Sequence, residues 1–434
     1  MRPSLTPVGW PPRDATRTGN GSPVGINMSD HGLEAAIVAD DLTGALDMAA
    51  PFASRGFATR LLLDHGHKAT GIDTEVLTLT SASRELTAQA TSENIRSAMA
   101  AALVRKPRIL IHKIDSTLRG NVGNAIPTGL QASGRRHALI ATAVPSHGRT
   151  MRGGEVFVNG VLLRDNPARF GDVSPPPSAP LPRLLRASSA AISVHSWRRG
   201  DISPLSAAAG LHAYVADCES EDDLEALARF ALDHADRLLV VGASGLGTAI
   251  AEQLAADRTP NIPSTNRSTS ERSATTLFVI GSRTPASAEQ IVRLYEAGAQ
   301  EIVLQFPFVE QAAGAVEIDI VDDVQSRALV VRPAASLPFL QESSKAIAQA
   351  LGQTAAQLVR RINIGAVVMS GGDTALAVFQ ALGIAEAILL RELSPGVAIG
   401  RFQVDGAPLT FITKSGGFGD RDALVRISHA LRIS

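Results

Sequence analysis

The sequence predicts an α/β protein of two domains, each with a largely parallel sheet, and ligand sites at strand carboxyl ends and in the interdomain cleft. Three observations lead there. The chain has 434 residues, and at roughly 100–200 residues per domain two domains fit best. Short apolar runs alternate with helical stretches, the pattern of β-α-β units. Glycines and acidic residues gather where the apolar runs stop, which is where open parallel sheets bind ligands.

Composition narrows the field. Hydrophobic residues are 45% and charged residues 19% of the chain, enough to fill large cores. Lys and Arg number 41 against 42 Asp and Glu, a net charge of −1; a general nucleic-acid binder would carry a basic surplus. One cysteine, Cys218, excludes a disulfide framework and a cysteine-rich metal site. Every apolar run stops short of the roughly 20 residues that span a bilayer. Aromatics at 4% are too few for a base-stacking platform. What remains is a cytoplasmic protein that handles small molecules, with no membrane or nucleic-acid partner.

Residues 1–32 read as a flexible tail, rich in Pro, Gly, Ser and Thr. The tail lacks the continuous apolar stretch of a secretory signal. From Glu34 order sets in. AAIVAD (35–40), ATRLLLD (58–64), EVLTLT (75–80), RILIHKID (108–115), HALIATAV (137–144), LHAYVAD (211–217) and RLLVVGAS (237–244) read as strands buried on both faces. Leu42 to Ser54, Ser83 to Arg105, Val122 to Gln131 and Glu221 to His234 read as helices. Asn159-Gly160 inside VFVNGVLL predicts a hairpin, because both turn positions need positive φ. Ser174 to Pro182 reads as a proline-rich loop within this first domain, which spans 33–256. A polar, breaker-rich stretch, 257–274, reads as a linker. A second α/β series fills 275–434, with strands at 276–282, 301–307, 328–333, 366–372 and 409–417 and helices between.

Four motifs in the first domain could carry chemistry. ADDLTG (39–44) closes a strand and opens a helix. An N-cap accounts for one carboxylate; Asp40 and Asp41 together suit a pair in which one binds hydroxyls or acts as base and the other orients it. KIDSTLRGN (113–121) holds Lys113, Asp115, Ser116 and Arg119, a set for a small polyhydroxylated anion. Arg119 offers a bidentate fork to a carboxylate, and Asp115 a proton acceptor. GRTMRGG (148–154) reads as a basic glycine loop with Arg149 and Arg152. Beside it, His147 lacks partners at metal-ligand spacing. GASGLG (242–247) opens a helix whose N–H groups could face an anion, or its glycines serve close packing. It departs from the G-x-G-x-x-G dinucleotide order.

In the second domain GSRTP (281–285), SGGDT (370–374) and KSGGFGD (414–420) each end a strand. Gly371 and Gly372 let backbone approach a phosphate without Cβ obstruction. Asp373 and Thr374 start a helix, and Lys414 supplies a cation beside a second glycine turn. No Walker A or protein-kinase signature is present.

Taken in order, ADDLTGA, KIDSTLRGN, PSHGRTMRGGEVFVNGVLL, GASGLG, SGGDTA and KSGGFGD resemble the four-carbon acid sugar kinase family over nearly the whole chain from about residue 34. The resemblance implies an N-terminal domain that binds a sugar acid and a C-terminal domain that binds ATP. It further implies transfer of phosphate to the terminal hydroxyl of a tetronate such as threonate, erythronate or an oxo-tetronate. By position, ADDLTG and KIDSTLRGN would line the acid pocket with Arg149 nearby; Ser282, Ser370 to Thr374 and Gly416 would hold ATP. Two departures stand out. The family's Cys or second Ser after Gly-Ser is replaced by Arg283-Thr284, and its Phe-Pro by Val144-Pro145.

The reading is therefore an ATP-dependent kinase of a small sugar acid. Arg119 or Lys113 would meet the substrate carboxylate, and Asp41 or Asp115 would be the base. Mg²⁺ would ride on ATP phosphates and water rather than on a protein metal site. A dehydrogenase or aldolase acting on the same acids, and a non-catalytic sensor of acid and nucleotide, are the rivals. Acid-dependent ADP release separates the kinase from both. The oligomeric state, a homodimer included, stays open.

Overall fold

The computed structural model describes residues 32–66, 73–165, 179–197, 205, 209–256, 258, 274–304, 327–334 and 341–433. The tail (1–32) and the linker (257–274) lie almost wholly outside these residues.

The first series runs β1 (Leu33–Ala39), α1 (Leu42–Ser54), β2 (Thr59–Leu62), β3 (Val76–Thr80), α2 (Ala88–Leu103), β4 (Pro107–Lys113), α3 (Val122–Ala132) and β5 (His137–Ala141). A small antiparallel sheet of β6 (Arg149–Arg152), β7 (Glu155–Val158) and β8 (Val161–Leu162) follows. Then come α4 (Leu181–Ser188), β9 (Ile192–Trp197), β10 (Leu211–Ala216), α5 (Glu221–Asp233), β11 (Leu238–Gly242) and α6 (Ser244–Ala255). The hairpin forms where Asn159-Gly160 predicts it, with φ of 50° and 77°. Three readings change. The helix read from Ser83 begins only at Ala88, capped by Thr87, so Ser83 and Arg84 belong to the segment leaving β3. Residues 149–152 are a strand rather than a loop, because Arg149 pairs with Val158 across that hairpin. The proline-rich stretch ends earlier than read: Leu181 and Pro182 already belong to α4, whose first turn tolerates a proline because its N–H has no helical partner there.

The second series is β12 (Thr275–Ile280), α7 (Pro285–Glu296), β13 (Gln300–Leu304), β14 (Ala328–Pro333), α8 (Gln341–Arg361), β15 (Ile364–Ser370), α9 (Gly372–Ala381), β16 (Glu386–Ser394), β17 (Val397–Val404), β18 (Ala407–Lys414) and α10 (Ala423–Ile433). Among the described residues no helix is long and apolar enough to cross a membrane.

All strands but β6–β8 join one sheet, ordered β13-β14-β12-β15-β18-β17-β16-β2-β3-β1-β4-β11-β5-β10-β9. Each flank is parallel. The middle is an antiparallel meander, β18-β17-β16, whose last strand pairs antiparallel with β2 through Ile388 opposite Arg60. The two α/β halves are thus stitched edge to edge. Burial agrees: Ile37, Leu46 and Phe52 of the first half share one core with Val279, Phe379 and Phe411 of the second. Separate clusters cover the opposite faces, one around Ile95 and Leu130, another around Leu294 and Leu424.

Helix α1 is the shared element. Asp41 caps it by accepting the Gly44 N–H at 2.8 Å. Most of its residues are small and buried, so it packs close against α6, α9, β16 and β17 at once.

Candidate active site

Register brings the first cluster together. Ala39, the last residue of β1, lies opposite Thr80 of β3 on one side and Lys113 of β4 on the other. The segments that leave these three strands therefore emerge side by side. They carry Asp40 and Asp41, then Arg84, then Lys113 to Arg119.

Arg84 is the hub, and the sequence reading missed it. Its guanidinium forks onto Asp40 at 2.9 and 2.8 Å, bonds Asp41 Oδ2 at 2.7 Å, and lies 3.9 Å from Asp115. Lys113 Nζ sits 3.5 Å from both Asp40 and Asp41. Gly44 makes this approach possible, since a Cβ there would occupy the lysine ammonium. Burial alone would raise the Asp41 carboxyl; Arg84, Lys113 and the Gly44 N–H outweigh it and hold it at about 2.

Asp115 is spent within its own loop. It accepts from the Thr117 N–H at 3.0 Å and the Thr117 hydroxyl, and from Arg119 Nε at 3.1 Å and Arg119 Nη2 at 2.8 Å. Burial pushes its carboxyl up, but Arg119 and then Arg84 carry it well below the usual range. Two assignments change for the same reason. Thr117 and Arg119 turn the Asp115 carboxylate into its own loop, away from the role of base, and the Nε–Nη2 edge of Arg119 is filled by Asp115.

Arg149 is different. Held by β6, it is drawn in over the pocket, where it donates to Ser116 Oγ and stacks on the Phe418 ring at 5.1 Å. Among the described residues no carboxylate lies within ion-pair distance of it. Burial pulls its guanidinium pKa down, with Asp115 the main opposing charge. Asp47, one turn beyond Gly44 on α1, is likewise without an ion pair among the described residues. Burial raises its carboxyl against the pull of Lys113 and the Ser244 hydroxyl.

The second cluster is built from backbone. Ile280, Ser370 and Lys414 end neighbouring strands in register. The N–H groups of Gly281 and Ser282 both donate to the Ser370 carbonyl at 3.2 Å. Gly371 caps α9 with φ of 108°, a conformation that excludes a Cβ. Gly281 makes room for the Thr374 hydroxyl, and Gly416 for the Ser282 hydroxyl. Ser287 ties this corner: its hydroxyl lies 2.8 Å from Ser282 Oγ and 2.9 Å from the Gly416 carbonyl, which can only accept. Thr284 caps α7, the same residue that replaces the family's usual one.

Lys414 does not point at a ligand. Its fully buried ammonium donates to the carbonyls of Ser415, Gly416 and Phe418 at 2.9, 3.2 and 2.8 Å. Gln290 draws in the Phe418, Gly419 and Asp420 carbonyls at 3.1, 3.2 and 2.9 Å. With the carbonyls turned inward, the Gly416 and Gly417 N–H groups find no acceptor among the described residues. Burial lowers the Lys414 ammonium to about 8. This lysine shapes the loop rather than gripping phosphate.

GASGLG resolves toward packing. A Cβ at Gly245 would press on the Ala143 carbonyl, and one at Gly247 on the Met48 side chain at 2.6 Å.

The two clusters meet at Gly372. A Cβ there would lie 2.7 Å from Thr43 Oγ1 and 3.1 Å from Asp41 Oδ2. The exposed Asp373 follows it; partial enclosure raises its carboxyl first and the Asp41 charge second. Among the described residues no three potential ligands gather as a metal site.

A charge-lined pocket set against a glycine-built helix start, within one stitched α/β sheet, defines the class of protein. Residues 35–250 match a sugar-binding N-terminal domain and residues 277–424 a nucleotide-binding C-terminal domain. The chain is 30% identical over 414 residues to a D-threonate kinase of Bordetella bronchiseptica, covering 91% of this chain and 97% of that one. It is 29% identical over 420 residues to a 3-oxo-tetronate kinase of Methylobacterium radiotolerans (90% and 97%). It is 28% identical over 431 residues to a D-erythronate kinase of Heliobacterium modesticaldum (89% and 94%). The fold is shared with a Haemophilus influenzae protein of known structure, with a TM-score of 0.67, 22% identity and coverage of 92% and 100%. The chain belongs to the four-carbon acid sugar kinase family.

Proposed function

We propose that this chain is an ATP-dependent kinase that phosphorylates the terminal hydroxyl of a four-carbon sugar acid. The observation that carries the reading is the closeness of the helix start at Gly372 to Asp41 and Thr43, which a Cβ there would meet. A helix N-terminus attracts phosphate through its unpaired N–H groups and dipole. Phosphate at α9 would therefore stand beside the pocket that holds the acid.

Within the pocket, Arg149 is the cation left for the substrate carboxylate, with Ser116 beside it. Lys113, Arg84 and Arg119 keep the floor neutral against Asp40, Asp41 and Asp115. Asp41 faces the helix start and is the proton acceptor of this reading. Its low pKa suits a loose phosphoryl-transfer transition state, in which the hydroxyl proton leaves late and positioning does most of the work. Asp40 fixes Arg84, and Asp115 fixes Arg119.

On the nucleotide side, Ser282, Ser370, Gly371, Gly372, Thr374 and Gly416 form the turns that would receive ATP. Mg²⁺ arriving with ATP would neutralise phosphate charge, and such an ion is usually held by one or two protein carboxylates besides phosphate and water. Asp373 fits that need, having no ion-pair partner among the described residues.

The test is a screen of threonates, erythronates and their 2-oxo and 3-oxo forms with ATP and Mg²⁺, reading ADP. At least one acid should raise ADP release well above the acid-free rate. Equal release with and without every acid sinks the reading.

A further inference from the structure

The loop from Ser415 to Asp420 closes the nucleotide cluster, but its tip leaves that cluster. Phe418 crosses to the first half, where its ring lies under the Arg149 guanidinium at 5.1 Å and meets the His147 ring edge-on at 4.9 Å. Its back rests on Gly396, in the turn between β16 and β17, where a Cβ would lie 3.1 Å from the ring. The Phe418 backbone is anchored by Lys414 and Gln290, the same two side chains that turn the loop carbonyls inward. One short loop therefore offers N–H groups to phosphate at Gly416 and Gly417 and, one residue on, an aromatic face to Arg149.

We propose that Phe418 is a positioning residue that couples the two sites. Nucleotide bound on the Gly416 turn fixes the loop, the fixed ring holds Arg149 over the pocket, and Arg149 so held grips the acid carboxylate. This rests on the functional reading above. With no carboxylate within ion-pair distance among the described residues, Arg149 is held by the Ser116 hydroxyl on one side and by the Phe418 ring on the other. Coupling of this kind is reciprocal: each ligand must tighten the other by the same factor. A cation–π contact contributes from about 0.5 kcal/mol when exposed to about 2 kcal/mol when desolvated, which corresponds to a factor of roughly 2 to 30.

The experiment titrates full-length protein with ADP, with the four-carbon acid that gives turnover, and with each in the presence of the other. Wild-type protein should show mutual tightening within that range. In Phe418→Leu, ADP alone should bind as in wild type, the acid KM should rise several-fold, and the mutual factor should fall to about one. Phe418→Tyr should restore both. In an Arg149→Leu background, Phe418→Leu should add nothing, because the two act through one contact.

Phe418→Leu that keeps the full coupling factor overturns the inference. So does a variant that weakens ADP alone as much as it weakens the acid, since that assigns Phe418 to the nucleotide turn. Wild-type protein that binds ADP but neither binds nor turns over any acid overturns the functional reading, and this inference with it. Turnover by wild type with an unchanged Phe418→Leu overturns this inference alone.

Discussion

The two halves of the molecule prepare for anions in opposite ways. The first half uses charge: Arg84, Lys113 and Arg119 are set against Asp40, Asp41 and Asp115, and Arg149 is left over. The second half uses backbone: glycine turns, hydroxyls and a helix start, with its one nearby lysine turned into the loop. Side-chain charges in fixed places can discriminate a small carboxylate by position. Backbone N–H groups can receive a phosphate without a net charge of their own. Breaking each half should therefore fail in a different way.

Arg84→Ala is the most damaging change. It leaves Asp40 and Asp41 side by side with Lys113 alone between them, while Arg119 stays on Asp115. Removing one partner of a buried ion pair costs about 3–5 kcal/mol. Thermal unfolding should show a loss of that order and turnover should be abolished. Arg84→Lys should rescue little, because an ammonium cannot fork across Asp40 and Asp41 together. A well-folded, active Arg84→Ala protein would remove the hub.

Next in size is the contrast between two aspartates. Asp41→Asn should lower kcat by ~10²–10⁴-fold with little change in the KM for ATP, the usual scale for a lost proton acceptor. Asp115→Asn should lower the melting temperature and raise the acid KM, while kcat falls less, since its oxygens hold Thr117 and Arg119. Equal kcat losses would erase the distinction drawn from their hydrogen bonds.

In the second half, Gly416→Ala places a methyl on the Ser282 hydroxyl. ATP KM should rise roughly tenfold if the clash costs about 1.4 kcal/mol. Acid binding in the absence of nucleotide should stay as it was. Ser282→Ala in the same chain makes room, so the double variant should recover part of the loss. No recovery would place the effect in the turn conformation instead of the contact.

Much of this was legible in the chain. Strand ends announced themselves through Asp40-Asp41, Gly371-Gly372 and Gly416-Gly417, because the turn out of a strand needs small or capping residues. Arg84 carried no such mark. A lone arginine in SASRE becomes a hub only when β3 pairs with β1, a contact that spacing along the chain does not encode. Asp47 was hidden for a related reason, since it reads as an ordinary helix residue until α6 packs across it. Strands β16 and β17 were missed although Asp405-Gly406, with φ of 50° and 83°, is the same turn signal that revealed the Asn159-Gly160 hairpin. The direction of Lys414 was not legible at all, because a lysine before a glycine turn can face either the ligand or the carbonyls behind it.

The smallest effect concerns stability against pH, and it sharpens the comparison away from the ligands. His112 on β4 is fully buried, and neither ring nitrogen has a hydrogen-bond partner among the described residues. Gly129 of α3 leaves just enough room for the ring. Burial lowers its pKa from 6.5 to about 4. Between those values the unfolded chain holds a proton that the folded chain refuses. Stability is therefore complete above about pH 6.5 and is lost progressively as pH falls toward 4. His137 on β5, lowered to about 4 by burial and then by His212, adds to the same slope. The second half has one histidine, His429, so the acid sensitivity should be lopsided. His112→Leu replaces a ring that makes no hydrogen bond with an apolar side chain. It should leave turnover at pH 7.5 near that of wild type and reduce the fall in melting temperature between pH 7 and pH 5. Hydrogen exchange at pH 5 should show β4 and α3 opening before β12 and β15 in wild type, with the gap narrowed in the variant. An unchanged slope in His112→Leu would move the acid sensitivity elsewhere, with His137 the next residue to replace.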